Sequence, residues 1–391
     1  MNQTFYYQKV ATDLPTNFEP IVRRKKLDAP FSYNILRNIA IVSGCIGGAL
    51  LLYSSTFTSS IQETTSLDAT NTNTNTNTRI KYSTLDNDTI TQLFEEFKIT
   101  YNKSYTTIEE AELRYNYFNR FLEVIDERNN NDTYAVHGIT KFADLSVDEF
   151  RKVSLGYKPI ANANANAIAK IAYINRYEGD ETYVNWANVY TTAVKDQGYC
   201  GSCWAFSATE QIESDAIRLG LLNITDVLSP EQIVQCDSVD DGCDGGNTET
   251  AFEYVKTAGG IETNDEYPYT SYYDVTGTCT SISSDFIVTV DEYYSITDED
   301  AMMSHIFSTG PISICLDAST WSSYVSGIIT TCGLNVDHCV QAVGLNTEES
   351  YWIVRNSWGT EWGNEGYIWL ESGVNMCNIA YDPTYVDVSL V

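Results

Sequence analysis

Gln197-Gly-Tyr-Cys-Gly-Ser-Cys-Trp-Ala-Phe-Ser207 is the stretch on which the reading of the chain turns. From Cys203 to Leu219 the apolar residues Ala205, Phe206, Ala208, Ile212, Ala216, Ile217 and Leu219 recur at helical spacing, and Gly220 is a natural stop. Cys203 therefore falls in the first turn of a helix. There the unpaired N–H groups and the positive end of the helix dipole favour a thiolate, the nucleophilic form, over a thiol. Such a cysteine suits covalent acyl transfer or, together with Cys200, dithiol redox chemistry.

Acyl transfer needs an imidazole to hold the thiol proton, a group to orient that imidazole, and donors for the developing oxyanion. The chain has three histidines. His137 falls in a helical N-terminal region, His305 in a surface helix, and His338 at the edge of a β run after Asp337. His338 is the partner the pattern favours. Asn356, in Arg355-Asn-Ser-Trp-Gly359, ends another β run and can accept from the His338 ring, with Trp358 shielding that bond from water. Gln197 offers a side-chain N–H to the oxyanion beside the backbone N–H of Cys203. The redox alternative leaves His338 and Asn356 unexplained, and an inactive homologue would not be expected to keep all four positions. A zinc site lacks its second half, because six residues separate Cys236 from Cys243. No metal and no cofactor is implied.

At 391 residues the chain suggests two regions, one ample for a sizeable core. Residues 178–391 hold four basic side chains, Lys195, Arg218, Lys256 and Arg355, against 34 acidic ones. Residues 1–177 hold 19 of each, so the second part carries the whole net charge of −30. That part lacks the basic footprint of a nucleic-acid binder, and its carboxylates repel one another less in an acidic compartment. Nine of the ten cysteines lie between Cys200 and Cys377, and Asn-x-Ser/Thr sequons at Asn87, Asn102, Asn131 and Asn223 follow the one hydrophobic run. Both point to an oxidising, secretory setting.

In chain order, residues 1–38 read as a cytosolic tail rich in basic residues at Arg23-Arg-Lys-Lys26. Residues 39–57 read as a signal anchor, with a cleaved signal peptide as the alternative. Residues 58–88, with a Thr-Asn repeat at 70–78, read as a disordered polar tether. In 89–152, Phe94, Phe97, Tyr101, Leu113, Tyr117, Phe118, Phe121, Leu122 and Ile125 are spaced for two amphipathic helices, with a short helix from Val147. Residues 153–177, with Ala-Asn repeats from Ala161, read as a flexible, cleavable linker. Residues 178–391 begin with helices at Cys203, after Ser229 and from about Thr248, and end in short β runs from Pro311. An α+β arrangement follows, with a helical lobe, a β lobe and the site in the cleft between them.

Gln197 to Trp204, Gly242-Cys-Asp-Gly-Gly246, Asp337-His338 and Asn356-Ser-Trp-Gly-Thr-Glu-Trp-Gly363, in this order, resemble the papain and cathepsin L family of cysteine proteases. The resemblance covers about residues 90–391. It implies a two-lobed papain-like fold and an endopeptidase with Cys203 as nucleophile, His338 as acid/base, Asn356 as orienter and Gln197 in the oxyanion hole. The N-terminal helices resemble the family's inhibitory proregion at Glu110, Arg114, Phe118, Ile125, Asn129, Gly138, Phe142 and Asp144. Phe121 and Thr140 stand where the family's pattern has Asn. The resemblance further implies disulfides Cys200–Cys243, Cys236–Cys279 and Cys332–Cys377, and substrate contacts from Gly245, Gly246, Asn247, Thr248, Cys315, Val336, Asp337, Cys339, Trp358 and Asp382. Cys315 and Cys339 are read as small thiol linings of the S2 pocket, an extra disulfide being the alternative. Asp382 at the pocket floor would admit Arg as well as Leu at P2. The partners implied are protein and peptide substrates, the chain's own proregion as intramolecular inhibitor and, through residues 39–57, a membrane before processing. The mature enzyme is expected to be monomeric. Its destination is the lysosome, the vacuole or the exterior, after acid-triggered cleavage between about Lys158 and Glu181.

Overall fold

The structure, a computed structural model, describes residues 80–160 and 169–391. The expectations for the tail, the apolar run at 39–57, the tether up to residue 79 and the Ala-Asn repeat lie outside the described residues. Among the described residues no helix is long and apolar enough to cross a membrane.

Helices α1 (Asn87–Thr100) and α2 (Ile108–Asn131) begin at Asp86 and Thr107, whose side chains accept from the N–H groups of Thr89 and Glu110. Their inner faces share a core of Phe94, Phe97, Phe118, Phe121, Leu122 and Ile125. Phe121 therefore contributes apolar area where the family's pattern has Asn. Ordered structure starts before residue 89, inside the stretch read as tether: a turn at Tyr82–Thr84 gives the Tyr82 and Ser83 N–H groups to the Asp126 carboxylate at 2.9 and 2.8 Å. Strand β1 (Ala135–His137) takes His137 out of the helical setting expected for it. Helix α3 (Val147–Ser154) opens with a capping box between Ser146 and Glu149.

Beyond the undescribed repeat come β2 (Lys170–Ile171), β3 (Tyr183–Asn185), α4 (Cys203–Arg218), α5 (Pro230–Cys236) and α6 (Thr248–Ala258). After them follow β4 (Val288–Ser295), α7 (Glu299–Ser308), β5 (Ile312–Leu316), β6 (Tyr324–Ile329), β7 (His338–Asn346), β8 (Tyr351–Arg355), β9 (Tyr367–Glu371) and β10 (Thr384–Leu390). The strands run in the order β1-β6-β9-β8-β7-β5-β10-β4-β2, with β3 also on β7. One core joins α4, α5 and α6 to the inner faces of β4 and β10 through Ala208, Ile212, Ile233, Phe252, Val255, Val290 and Val386. A second fills the β lobe with Ile314, Leu316, Val340, Trp352, Val354, Trp362 and Leu370. β2 pairs with β4, so part of the stretch read as linker belongs to this sheet.

Helix α4 is buried from Cys203 to Ala216, its polar side included. Each charge there is matched. Glu213 accepts from Lys195 and Thr192, both at 2.6 Å, and from the Leu228 N–H. Asp215 pairs with Arg218 at 3.0 Å and accepts from the Val386 N–H of β10. Glu210 lies 3.4 Å from Arg355 at the end of β8. His305 differs from expectation as well. Its face of α7 packs on β10, with the ring 4.5 Å from Tyr385, and burial pushes its pKa down to about 3.

Candidate active site

Cys203 is the first residue of α4 and, among the described residues, the only free cysteine. The loop before it is pinned by the Cys200–Cys243 disulfide. His338 is the first residue of β7, and Asn356 follows the last residue of β8. The sheet thus brings two residues 18 positions apart into contact, with His338 Nε2 2.8 Å from Asn356 Oδ1. Asn356 Oδ1 is an acceptor, so Nε2 carries the hydrogen and Nδ1 keeps its lone pair. The Nδ1 atom has no hydrogen-bond partner among the described residues. The Trp358 ring lies 4.9 Å from the imidazole and Trp321 6.1 Å from it, which keeps water off the bond.

Gln197 is fully buried. Its Oε1 accepts from the Ser357 hydroxyl at 2.7 Å, which aims Nε2 back toward the start of α4. Nε2 donates to the Cys200 carbonyl at 2.9 Å and to the Ser154 carbonyl at 3.2 Å. Ser154 ends α3, so the N-terminal region itself supplies a carbonyl to this donor. The chain then crosses the site in extended form. The Tyr157 N–H donates to the Asp337 carbonyl at 3.1 Å, and Gly156 and Lys158 bond Gly246 in parallel register at 2.8 and 2.7 Å. Residues 153–160 are therefore bound across the cleft and not a free linker. The Gly156 N–H faces the Cys203 sulfur. A Cβ at Gly156 would meet the Gly201 carbonyl oxygen at 1.8 Å, so only glycine passes here. A glycine between Leu155 and Tyr157, just past a helix end, is the signal in the sequence that marks this close approach.

Further back, Phe142 and Phe150 meet the Trp358 ring edge-on at 5.1 and 5.5 Å. The Thr140 hydroxyl donates to the Ser322 carbonyl, so this substitution keeps a polar anchor. Lys141 pairs with Asp196 at 3.0 Å, Lys152 with Asp274 and Lys158 with Asp241, both at 2.6 Å.

Gly246 contributes backbone, and Asn247 caps α6 and donates to the Lys158 carbonyl. The Thr248 hydroxyl lies 3.8 Å from Cys315 Sγ. Gly245 enters the turn before α6, and Val336 borders a cavity with Leu155, Tyr157 and Asp337. Cys315 and Cys339 are not free thiols but form a disulfide, because β5 and β7 hold them directly opposite one another. Three further bonds join Cys200 to Cys243, Cys236 to Cys279 and Cys332 to Cys377. Asp382 is half-buried beside Glu249; burial, then the Glu249 charge, raises its pKa. Tyr157 packs against the same cluster, near Asp382 and Tyr381.

Electrostatically the site is silenced. Burial pushes the Cys203 thiol up to about 12, outweighing the N–H groups of Cys339, Gly156 and Trp204 that favour the thiolate. Helix position alone suggests a thiolate; under the covering segment, desolvation wins. Burial also pushes the His338 imidazole down to about 4 against the Asn356 bond, and raises the Asp337 carboxyl to about 7.

The family described as papain family cysteine protease matches residues 181–387, and the cathepsin propeptide inhibitor domain matches residues 94–150. Cysteine proteinase 2 of Leishmania pifanoi is 39% identical over 310 residues, 76% of this chain and 69% of its own. The germination-specific cysteine protease 1 of Arabidopsis thaliana is 38% identical over 309 residues, 73% of this chain and 80% of its own. The solved structure of digestive procathepsin L2 from Tenebrio molitor larval midgut superposes with a TM-score of 0.68 at 28% identity, covering 76% of this chain and 99% of that one.

Alkylation of Cys203 by iodoacetamide at neutral pH is expected to be roughly a thousandfold slower in the intact chain than for an unperturbed thiol. Cutting away residues 80–160 should restore fast labelling. Equal rates before and after cutting, read by peptide mass mapping, would refute the electrostatic account.

Proposed function

We propose, on the premise that the chain belongs to the papain family of cysteine proteases and carries a cathepsin-type inhibitory propeptide, that its peptide-bond hydrolysis runs through Cys203, His338, Asn356 and Gln197. The observation that carries the reading is the His338–Asn356 bond at 2.8 Å, which leaves Nδ1 as the ring's acceptor in the same buried site as the free cysteine. With the covering segment gone, Nδ1 takes the Cys203 proton and the thiolate attacks the substrate carbonyl carbon. The oxyanion is held by Gln197 Nε2 and the Cys203 N–H. Collapse expels the amine, which leaves with the proton from Nδ1, and a thioester remains on Cys203. Water, deprotonated by His338, then attacks the thioester and frees the acid and the thiol.

The protein is a zymogen with its own inhibitor. In the reading proposed here the covering segment blocks in three ways. Ser154 occupies Gln197, Gly156 presents an N–H and not a carbonyl carbon to the sulfur, and burial keeps Cys203 and His338 neutral. Acid release has an identifiable element. Asp132, at the end of α2, accepts from the Thr330 N–H and hydroxyl beyond β6 at 2.8 and 3.0 Å. Burial pushes its carboxyl up, but hydrogen bonds from Thr330, Ala135 and Tyr134 outweigh this and hold it below the ordinary value of 3.8. A depressed carboxyl stabilises the contact above its free pKa and loses that contribution as pH falls through its bound pKa. Release by this route therefore sets in below about pH 4.

For substrates, Thr248, Val336, the Cys315–Cys339 wall and Asp382 are read as the S2 pocket, with Gly245, Gly246, Asn247, Asp337 and Trp358 as further contacts. Tyr157 supports this, because it packs into the same cluster with Asp382 acting on its hydroxyl. A carboxyl floor favours P2 side chains with a donor or a positive tip, Arg as well as Leu. Passage through the secretory pathway belongs to the same proposal, supported by four disulfides and the apolar run at 39–57.

Cys203→Ala should abolish hydrolysis of a small peptide amide after proregion removal while leaving the fold intact; residual turnover within tenfold of the parent would reject the assignment. The Asp132→Asn zymogen should release its proregion at a pH where the parent holds it, so its activation profile shifts to higher pH. Asp382→Ala should lower the preference for Arg over Leu at P2 by about tenfold, and identical P2 profiles would remove Asp382 from the pocket.

A further inference from the structure

Cys315–Cys339 is the one disulfide among the four that lies in the same strand pair as His338. Cys339 follows His338 on β7, and Cys315 sits across from it on β5, with Leu316 across from His338. The pairing of β7 with β8 begins only at Gln341. His338, Cys339 and Val340 are thus flanked by a strand on one side alone, and strand ends held on one side open easily. Two further contacts hold this end of the strand. The Ser207 hydroxyl of α4 donates to the Val340 carbonyl at 2.7 Å. The Asp337 carbonyl accepts from Tyr157, and that bond is lost when the proregion leaves.

The bonded cysteines face each other with Cα atoms 4.0 Å apart, the close spacing of a non-hydrogen-bonded antiparallel pair. In such a pair the N–H groups point away from the partner strand. The Cys339 N–H is accordingly turned toward the Cys203 sulfur. One residue therefore carries the cross-strand bond on its side chain and a donor to the sulfur on its backbone, immediately after His338. Both cysteines are fully buried.

We propose that the Cys315–Cys339 disulfide is a positioning element of the catalytic pair: it fixes the one-sided end of β7 so that the His338 ring and the Cys339 N–H keep their places against Cys203 once the proregion is gone. The inference rests on the assignment of Cys203 and His338 given above. It is separate from any effect of the disulfide as a wall of S2, which acts on the substrate alone. A positioning role acts on the thiolate before substrate arrives.

The test compares the activated parent with Cys315→Ala/Cys339→Ala and with Cys315→Val/Cys339→Ala, which refills part of the lost volume; both variants keep the backbone N–H at 339. Cys236→Ala/Cys279→Ala, lacking a remote disulfide, is the control. Iodoacetamide alkylation of Cys203 is followed from pH 4 to 9 with no substrate present, so the shape of S2 does not enter. Asp337 is common to all four proteins, so its titration does not distinguish them. Both active-site variants should lose about tenfold in alkylation rate at pH 5, with the acid inflection moved up by about one pH unit, and kcat should fall with it. The control should overlay the parent. Superimposable alkylation profiles, with any loss confined to KM, would overturn the proposal and leave the disulfide as a pocket wall. Loss of the fold in the alanine variant together with a parent-like profile in the valine variant would do the same. Labelling of the parent at a residue other than Cys203 would instead overturn the assignment beneath it.

Discussion

The burial of helix α4 over all but its last two residues is the constraint on which the rest of the structure depends. A helix enclosed on every side has no water for its charges, and Glu210, Glu213 and Asp215 must each find a partner within the fold. The partners come from different elements: Arg355 from the end of β8, Lys195 and Thr192 from the loop before the helix, and the Val386 N–H from β10. Gln341 of β7 joins the set, donating to the Glu210 carbonyl, Gln211 and Ser214 while accepting from Arg355 at 2.7 Å. Removing one member leaves another as an unmatched buried polar group. The network therefore fixes the β lobe against the helix. Cys203 heads that helix and His338 heads β7, so the distance between the two proposed reacting groups is set by polar contacts well away from them.

The same low-dielectric setting explains how the proregion silences the site without deforming it. A segment that covers the cleft removes water from both the thiol and the imidazole, and each responds by favouring its neutral form. The segment also meets the site with matched backbone groups, a carbonyl for Gln197 and N–H groups for Asp337 and the Cys203 sulfur. Its lysines complement an enzyme domain that has four basic residues of its own. The exposed pairs of Lys152 and Lys158 add little individually, the Lys141–Asp196 pair is partly buried, and the aromatic contacts of Phe142 and Phe150 with Trp358 supply the apolar anchor. Where the chain departs from the family's pattern, the contacts compensate: Phe121 enlarges the proregion core, and Thr140 still reaches the Ser322 carbonyl.

Much of this was legible in the residues. The helix at Cys203, the order of helical and β segments and the scarcity of histidines follow from periodicity and composition, which are local properties. Four ordered motifs identified the family. Misreadings arose where burial overrides a local signal. His305 lies on a helix whose sequence does not distinguish a buried face from an exposed one. Residues 153–160 read as linker because they run into the Ala-Asn repeat from Ala161, yet they are ordered by backbone hydrogen bonds, which leave no trace in composition. Cys315 and Cys339 looked like two small linings because strand register, and not sequence spacing, brings them opposite each other.

The sequence by itself determined the chemistry available to this protein: a cysteine at a helix start, a histidine, an asparagine and a glutamine in family order, and an N-terminal region of inhibitor type. Residue types and short spacings suffice for that, because reactivity belongs to functional groups. Only the tertiary structure decided which state those groups occupy. That the Cys203 sulfur meets an N–H of Gly156, that desolvation outweighs the helix dipole, and that a disulfide clasps the strand end carrying His338 all depend on contacts between residues far apart in the chain. Such contacts exist only once the chain has folded and water has been excluded from the cleft.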